Sequence, residues 1–363
     1  MALNQRAAIA HARLLQQQIS ATQHSSIPAL VEYMGALQSQ DYGMSAWAIG
    51  LRLPGSTLAD VEAALDEGSI IRTHVLRPTW HIISAKDIYW MLAISAEKIK
   101  ALMKPMDRQL ELNDKIYSKS NKIIEKALSG GEQLTRDALA LALQHARINT
   151  AENRMAHLLM RAELDALICS GKRSGNTRTY ALLSERVPQK KSISREEALA
   201  MLAKRYFCSH GPATVQDFSW WSGLNLTAAT AAIALVKDEL AGAKLANQQY
   251  WFSAALTLSP TRSKSTYLLP AFDEFIVGYR DRTASLPAQH QRTVITVNGI
   301  FYPTLLVNGQ VAGTWKRTIE KGQLVVETSP FKNAGSLPAG IKKQVKRLQQ
   351  FLESPGSSVR NKE

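Results

Sequence analysis

Only two cysteines, Cys169 and Cys208, occur in 363 residues, and neither belongs to a C-x-x-C pair. That scarcity excludes a disulfide framework and a cysteine-rich zinc site, and both thiols read as buried or idle. No H-E-x-x-H is present and the eight histidines do not gather at ligand spacing, so no metal is expected. A G-x-x-x-x-G-K-[ST] loop is missing as well. The nearest string, "SGGEQLT" from Ser129, lacks the phosphate-binding lysine and reads as a loop before a helix, so neither an ATPase nor any nucleotide or other cofactor is expected. No run approaches about eighteen consecutive apolar residues, and the first residues, "MALNQRAAIAHARLLQQQ", have no continuous apolar core of the signal-peptide kind. A cytoplasmic, nucleoid-associated protein with no membrane partner is the expectation.

Negative charge is the other shortage. Thirty Asp and Glu face forty-four Lys and Arg, a net charge of +14 with a pI near 9.7, which favours polyanionic partners, nucleic acid first. The basic residues are spread along the chain, so they form a surface bias and not a tail. At this length two or three domains are expected. The first half is rich in Ala, Leu, Gln and Lys at helical spacing, whereas Tyr267 to Glu327 carries more Val, Ile, Thr, Gly and Pro, with alternating runs such as "RTVITVNG" and "QLVVET". The fold class is mainly α with a small β domain (α+β).

Within the helical part a weak repeat recurs three times: an amphipathic helix, a few polar residues, then a short strand, "TWHII", "TYALL" or "YWFS". More helices precede each copy. Thr135 is an N-cap before "RDALALALQHA", and Ser194 with Glu197 makes a capping box. Helix, helix, helix, hairpin is the plan of a winged helix. Any α-rich chain yields similar strings, but the basic hairpin "GKRSGNTRTY" would project Lys172, Arg173 and Arg178 toward phosphates.

Chemistry is sparse. Cys208 and His210 have no third group to orient them as a nucleophilic pair. His81 stands beside Trp80 on a strand whose alternation sends the two side chains to opposite faces; a structural role is favoured and a catalytic one stays open. "LLPAFDEFIVGYRDR" mixes Asp273, Glu274, Arg280, Asp281 and Arg282 with aromatics, which salt bridges at a domain junction and DNA contact explain equally well. "ALQSQDYGMSAW" places Gln38 and Gln40 two apart. On a helix such residues diverge by about 200°, and in an extended segment they share a face. Both amides can therefore serve one ligand only if the helix beginning after Ser26, with Pro28 in its first turn, breaks between Gln38 and Asp41. The alternative is a pair of solvated glutamines at a helix end, the same Q-x-Q spacing that recurs at Gln16/Gln18 and Gln289/Gln291.

The whole set of segments resembles the AlkZ/YcaQ-like winged-helix DNA glycosylases. The matching stretches are "MGALQSQDYGMSAWAIGLR", "RPTWHI", "SHGPATVQDFSWWSGL", "LLPAFDEFIVGYRDR" and "PTLLVNGQVAGTW", in that order over nearly the full chain. The resemblance implies three tandem winged helices, at 1–86, 87–189 and 190–266, and a β-barrel-like domain with a terminal helix at 267–363. It implies excision of N7-alkylated purines from double-stranded DNA, in some members including interstrand crosslinks; a monomer is expected separately, since no heptad-bearing helix is long enough to advertise a dimer. The family's motif of Gln or His, an aliphatic residue, then Gln falls on Gln38, Ser39 and Gln40, and Ser39 departs from it. The two glutamines are thus the implied catalytic residues, with Asp41 and His81 as secondary candidates.

A cationic N7-alkylpurine is already a good leaving group, so placed water and oriented amide dipoles are adequate catalysts. Gln40 would position the water and Gln38 would stabilise the sugar or orient that water. Asp41 is either a general base or the cap of the next helix. A lyase would need a lysine near the motif, and none lies between Glu32 and Arg77, so monofunctional hydrolysis is expected. Lys172, Arg173, Arg178, Arg280, Arg282, Lys316 and Arg317 are the candidate phosphate contacts. Two competitors remain: a winged-helix transcriptional regulator, and a protein that sequesters a lesion or small molecule without cutting.

Overall fold

A computed structural model describes residues 3–175, 177–189, 192–245, 247–258, 265–331 and 337–361. The chain divides into two compact units, one formed by residues 62–199 and the other by 1–61 together with 200–363. No described helix is long and apolar enough to cross a membrane.

The contiguous unit begins with a hairpin, Ile70–His74 against Trp80–Ser84, followed by the long helix Ile88–Gln109. Helix Asp114–Leu128 starts where the Asn113 side chain accepts the Ile116 amide, and helix Arg136–His145 starts where Thr135 accepts the amide of Ala138, as its sequence predicts. Helix Arg154–Leu164 then leads into the hairpin Ile168–Ser174 and Thr177–Leu182, which the two-residue strand Leu134–Thr135 joins along one edge. Ile124, Leu128, Leu139, Leu143, Leu158 and Ile168 are fully buried between the three helices and the hairpin. Each such side chain contributes about 1.5–3 kcal/mol by leaving water, and together they hold the basic hairpin to the helices.

In the discontinuous unit the expected capping logic also appears. Ser26 caps helix Ile27–Met34, with Pro28 in its first turn, and Thr214 and Asp217 form a reciprocal capping box on helix Val215–Ser222. The Ser194 and Glu197 pair of helix Arg195–His210 is present in the other unit, with both bonds made. Helix Leu226–Ala234 precedes the hairpin Leu240–Leu245 and Gln248–Ser253.

The β-rich region differs from expectation in three ways. Its five strands run in the order Ser357–Asn361, Gln323–Pro330, Gln310–Glu320, Thr304–Val307, Thr266–Leu269. The two outer strands do not pair with each other, so the sheet is open and the barrel-like closure implied by resemblance is absent among the described residues. "RTVITVNG" does not make a strand: Gln291–Val294 is a helical turn, and Ile295 alone bridges to Phe301. Ser357–Asn361, a stretch with little apolar alternation, adds as a parallel edge strand.

The terminal helix Ile341–Phe351 is present. Its Phe351 ring lies 5.3 Å from the Trp47 ring, and a Cβ on Gly50 would sit 2.3 Å from Phe351 Cδ2. Glycine at position 50 is what admits that ring. The Trp47 indole N–H donates to the Leu268 carbonyl at 2.8 Å and ties helix Tyr42–Arg52 to the sheet, while the Trp315 indole N–H donates to the Leu269 carbonyl at 2.8 Å within the sheet itself.

Candidate active site

A helix break is present, but it opens at Gly35, earlier than the Gln38 to Asp41 span expected from sequence, and Gln40 lies in a bend beyond the extended residues. Helix Ile27–Met34 stops at Gly35, whose φ of 77° belongs to the left-handed region that favours glycine, with the Trp221 ring 3.4 Å from where a Cβ would lie. Ala36–Gln38 is extended, and helix Tyr42–Arg52 begins after Asp41, whose carboxylate accepts the Met44 amide at 3.1 Å. Of the two roles open to Asp41, the helix cap is therefore occupied. Gln38 is buried and Gln40 is exposed.

Two buried anchors hold this short segment. The first is Ser39, completely buried where the family pattern has an aliphatic residue. Its hydroxyl lies 2.8 Å from Ser45 Oγ, and Ser45 donates its own proton to the Tyr42 carbonyl at 2.8 Å, which makes Ser39 the donor. A buried hydroxyl without a partner costs about 1–3 kcal/mol; Ser45 removes that cost.

The second anchor comes from far along the chain. The backbone N–H of Gln38 donates to Glu274 Oε1 at 2.8 Å, and the Trp221 indole N–H donates to Glu274 Oε2 at 3.0 Å. His210 Nε2 lies 3.4 Å from the same Oε2, and burial holds that ring's pKa below the ordinary histidine value. Glu274 sits in helical turn Glu274–Val277, capped by Asp273. Asp273 in turn takes both guanidinium arms of Arg52, each at 2.8 Å, and Arg52 also donates to Gln17 Oε1 at 2.7 Å. Gln17 donates to the Tyr279 hydroxyl at 2.9 Å, over whose ring the Arg13 guanidinium stacks at 3.5 Å. The "LLPAFDEF" string, read from sequence as junction salt bridges or DNA contacts, supplies the scaffold under the glutamine segment. Nothing in its local spacing marks Glu274 as a partner of Gln38; the only signal is a pair of acidic residues in an otherwise apolar run, which must be satisfied if buried.

Of the basic candidates, Arg317 approaches the segment most closely. Its guanidinium is 3.5 Å from the Gly43 carbonyl; burial lowers its pKa, and the charge of Asp41 opposes that shift. Lys316 is 62% exposed beside Glu327, at 3.1 Å, a surface pair that water and salt weaken. Arg280 is exposed. Arg282 donates to the Ile276 carbonyl at 2.9 Å and its guanidinium lies 5.1 Å from the Trp220 and Phe301 rings.

In the contiguous unit, Lys172 is exposed on the hairpin and Arg178 is half-buried. Arg173 is engaged by Glu62 and by Asp66, the latter at 3.2 Å, and so is oriented by carboxylates of its own unit. His81 is completely buried, its Nδ1 3.0 Å from the Thr79 carbonyl, with burial first and the Arg77 charge second holding it neutral. Trp80 is half-buried beside it, 4.0 Å from the His74 ring and beneath the Arg72 guanidinium. Burial pushes the Cys169 thiol up to about 12 and raises Cys208, in keeping with unreactive thiols.

A family model described as DNA glycosylase AlkZ-like matches residues 31–351. The interstrand DNA cross-link repair glycosylase of Streptomyces sahachiroi is 23% identical over 341 residues, spanning 90% of each chain. The solved structure of Streptomyces sahachiroi DNA glycosylase AlkZ has the same fold, with a TM-score of 0.81 at 22% identity over 99% of both chains.

Proposed function

The chain belongs to the AlkZ-like DNA glycosylase family, and from that premise we propose that it excises N7-alkylated purines from duplex DNA by monofunctional hydrolysis, with Gln38 and Gln40 as the catalytic groups. The observation that carries the proposal is the seven-residue interruption between helices Ile27–Met34 and Tyr42–Arg52, of which Ala36–Gln38 is extended, and whose backbone is pinned by a buried carboxylate and a buried hydroxyl pair. A merely solvated helix end would need neither anchor.

The chemistry follows from the leaving group. Alkylation at N7 puts a positive charge on the purine, so the glycosidic bond breaks toward an oxocarbenium-like sugar with little need for an acid. The exposed Gln40 places the attacking water, and Gln38 supplies an amide dipole to the sugar or to that water. Asp41, committed to capping, acts through the helix start and not as the base, and neutral buried His81 has a structural role. Three winged-helix units, 1–86, 87–189 and 190–266, with the β-rich domain 267–363, present the basic residues to the backbone. Interstrand crosslinks, named for the Streptomyces relative, and bulky adducts belong to the same substrate class, and both are too large for a closed pocket of the base-flipping kind.

Duplex DNA carrying N7-methylguanine, incubated with the protein and then heated in alkali, is expected to break at the lesion. Intact strands across methyl, bulky and crosslinked N7 adducts would support the regulator reading instead. Affinity for undamaged duplex is also expected to fall steeply with salt: six phosphate contacts correspond to about a thousandfold loss between 50 and 200 mM. A titration that stays flat over that range would argue against phosphate-driven docking.

A further inference from the structure

We infer that Glu274 is the positioning residue of the catalytic segment: it sets the height and angle of Gln38 by holding that residue's backbone amide. The inference rests on the reading that Gln38 and Gln40 act on the substrate. Glu274 touches no solvent to speak of, being 1% exposed, and a buried carboxylate persists only when its oxygens are answered by donors. Its two oxygens are answered separately. Oε1 takes the Gln38 N–H at 2.8 Å, while Oε2 takes the Trp221 indole N–H at 3.0 Å and has His210 Nε2 at 3.4 Å.

The division of labour matters. Trp221 is itself fixed, packed between Gly35 and the rings of Tyr206 and His210. Glu274 is fixed from behind as well, because a Cβ on Gly278 would meet its carbonyl at 2.6 Å and its Oε2 at 3.3 Å, so the turn that carries it has no slack. The carboxylate is therefore a rigid strut with one end on the aromatic cluster and the other on the catalytic backbone. Gln38 has the exposed Gln40 two residues beyond it, so a tilt at the Gln38 amide carries both side chains away from the sugar. A displacement of about 1 Å at a reacting group costs on the order of a hundredfold in rate.

Glu274→Gln tests this with almost no change of volume. A glutamine has one acceptor oxygen and one NH2, so whichever way it turns, either the Gln38 N–H or the Trp221 N–H faces another donor. With N7-methylguanine duplex and enzyme in excess, the single-turnover rate at saturation is expected to fall about ten- to hundredfold, while the affinity for that duplex and the active fraction from the burst amplitude change less than twofold. A role confined to stability would lower the active fraction and leave the rate of the remaining enzyme unchanged, which would overturn the inference. If the glutamine variant does not fold, Glu274→Asp reads the same contact, keeping the charge while withdrawing Oε1 by one methylene. A wild-type rate in the aspartate variant would overturn the inference equally. Gln38→Ala run in the same assay separates the two levels: full activity there removes the catalytic reading, whereas its loss beside an unimpaired Glu274→Gln removes only the strut.

Discussion

Replacing either glutamine by alanine is expected to lower the single-turnover excision rate about a hundred- to a thousandfold, the cost of deleting one preorganised polar group at a developing charge. Gln40→Ala is the cleaner of the two. The side chain is exposed, so its removal leaves no cavity, and the melting temperature is expected to stay where it was. Gln38 is buried, and its truncation carries a stability loss that must be measured beside the rate. If the two amides address one water, the double variant falls little below the worse single one, because groups that act as a unit are strongly non-additive. Binding of undamaged duplex, driven by the phosphate contacts, is expected to survive all three changes. Rates within threefold of wild type in both single variants would sink the assignment.

The largest stability effect is expected at Arg52 and Asp273. The two are fully buried and joined by two 2.8 Å hydrogen bonds, and each has further obligations: Arg52 to Gln17 and to the Ala48 carbonyl, Asp273 to the Phe275 amide. Removing one member leaves the other charge buried without its counterion, at about 3–5 kcal/mol. In a unit of this size that corresponds to a fall of roughly 6–20 °C in the melting temperature. Asp273→Asn, which keeps the shape and deletes the charge, is the variant to melt, followed by the intrinsic fluorescence of the seven tryptophans. Since Asp273 adjoins Glu274, excision should weaken along with stability. An unchanged melting curve would show that the pair contributes no net stability.

Local signals were legible in the chain. Pro28 after Ser26 and Asp41 before a helical run mark two helix starts where the structure has them, whereas the first helix ends at Met34, ahead of the break expected between Gln38 and Asp41. Thr135, Ser194 and Glu197 likewise cap where their spacing says. Distant pairings were not legible. The donor that Glu274 satisfies lies 236 residues away, and no periodicity records which buried carboxylate meets which amide. "RTVITVNG" alternates as a strand does, yet alternation reports a half-buried surface and not a partner strand, and Gln291–Val294 turns helically instead. Closure of the sheet depends on whether two edges meet, a property of twist and register that composition does not carry. Charge at Arg173 was read as available to DNA, whereas Glu62 and Asp66, more than a hundred positions earlier, already engage it.

The division of the chain also has a consequence in time. Residues 62–199 form a unit whose every part is adjacent in synthesis, but the unit that bears the glutamines draws on both ends of the chain. At about 5–20 residues per second, the ribosome adds Glu274 roughly 12–47 s after Gln38. For that interval the proposed catalytic segment exists without Glu274, and Arg52 without Asp273, while the inserted unit can already be folded. A message cut short between Gln40 and Glu274 would thus yield a chain carrying both glutamines without the carboxylate that holds their segment, so on the proposed reading full activity waits for the downstream part of the chain.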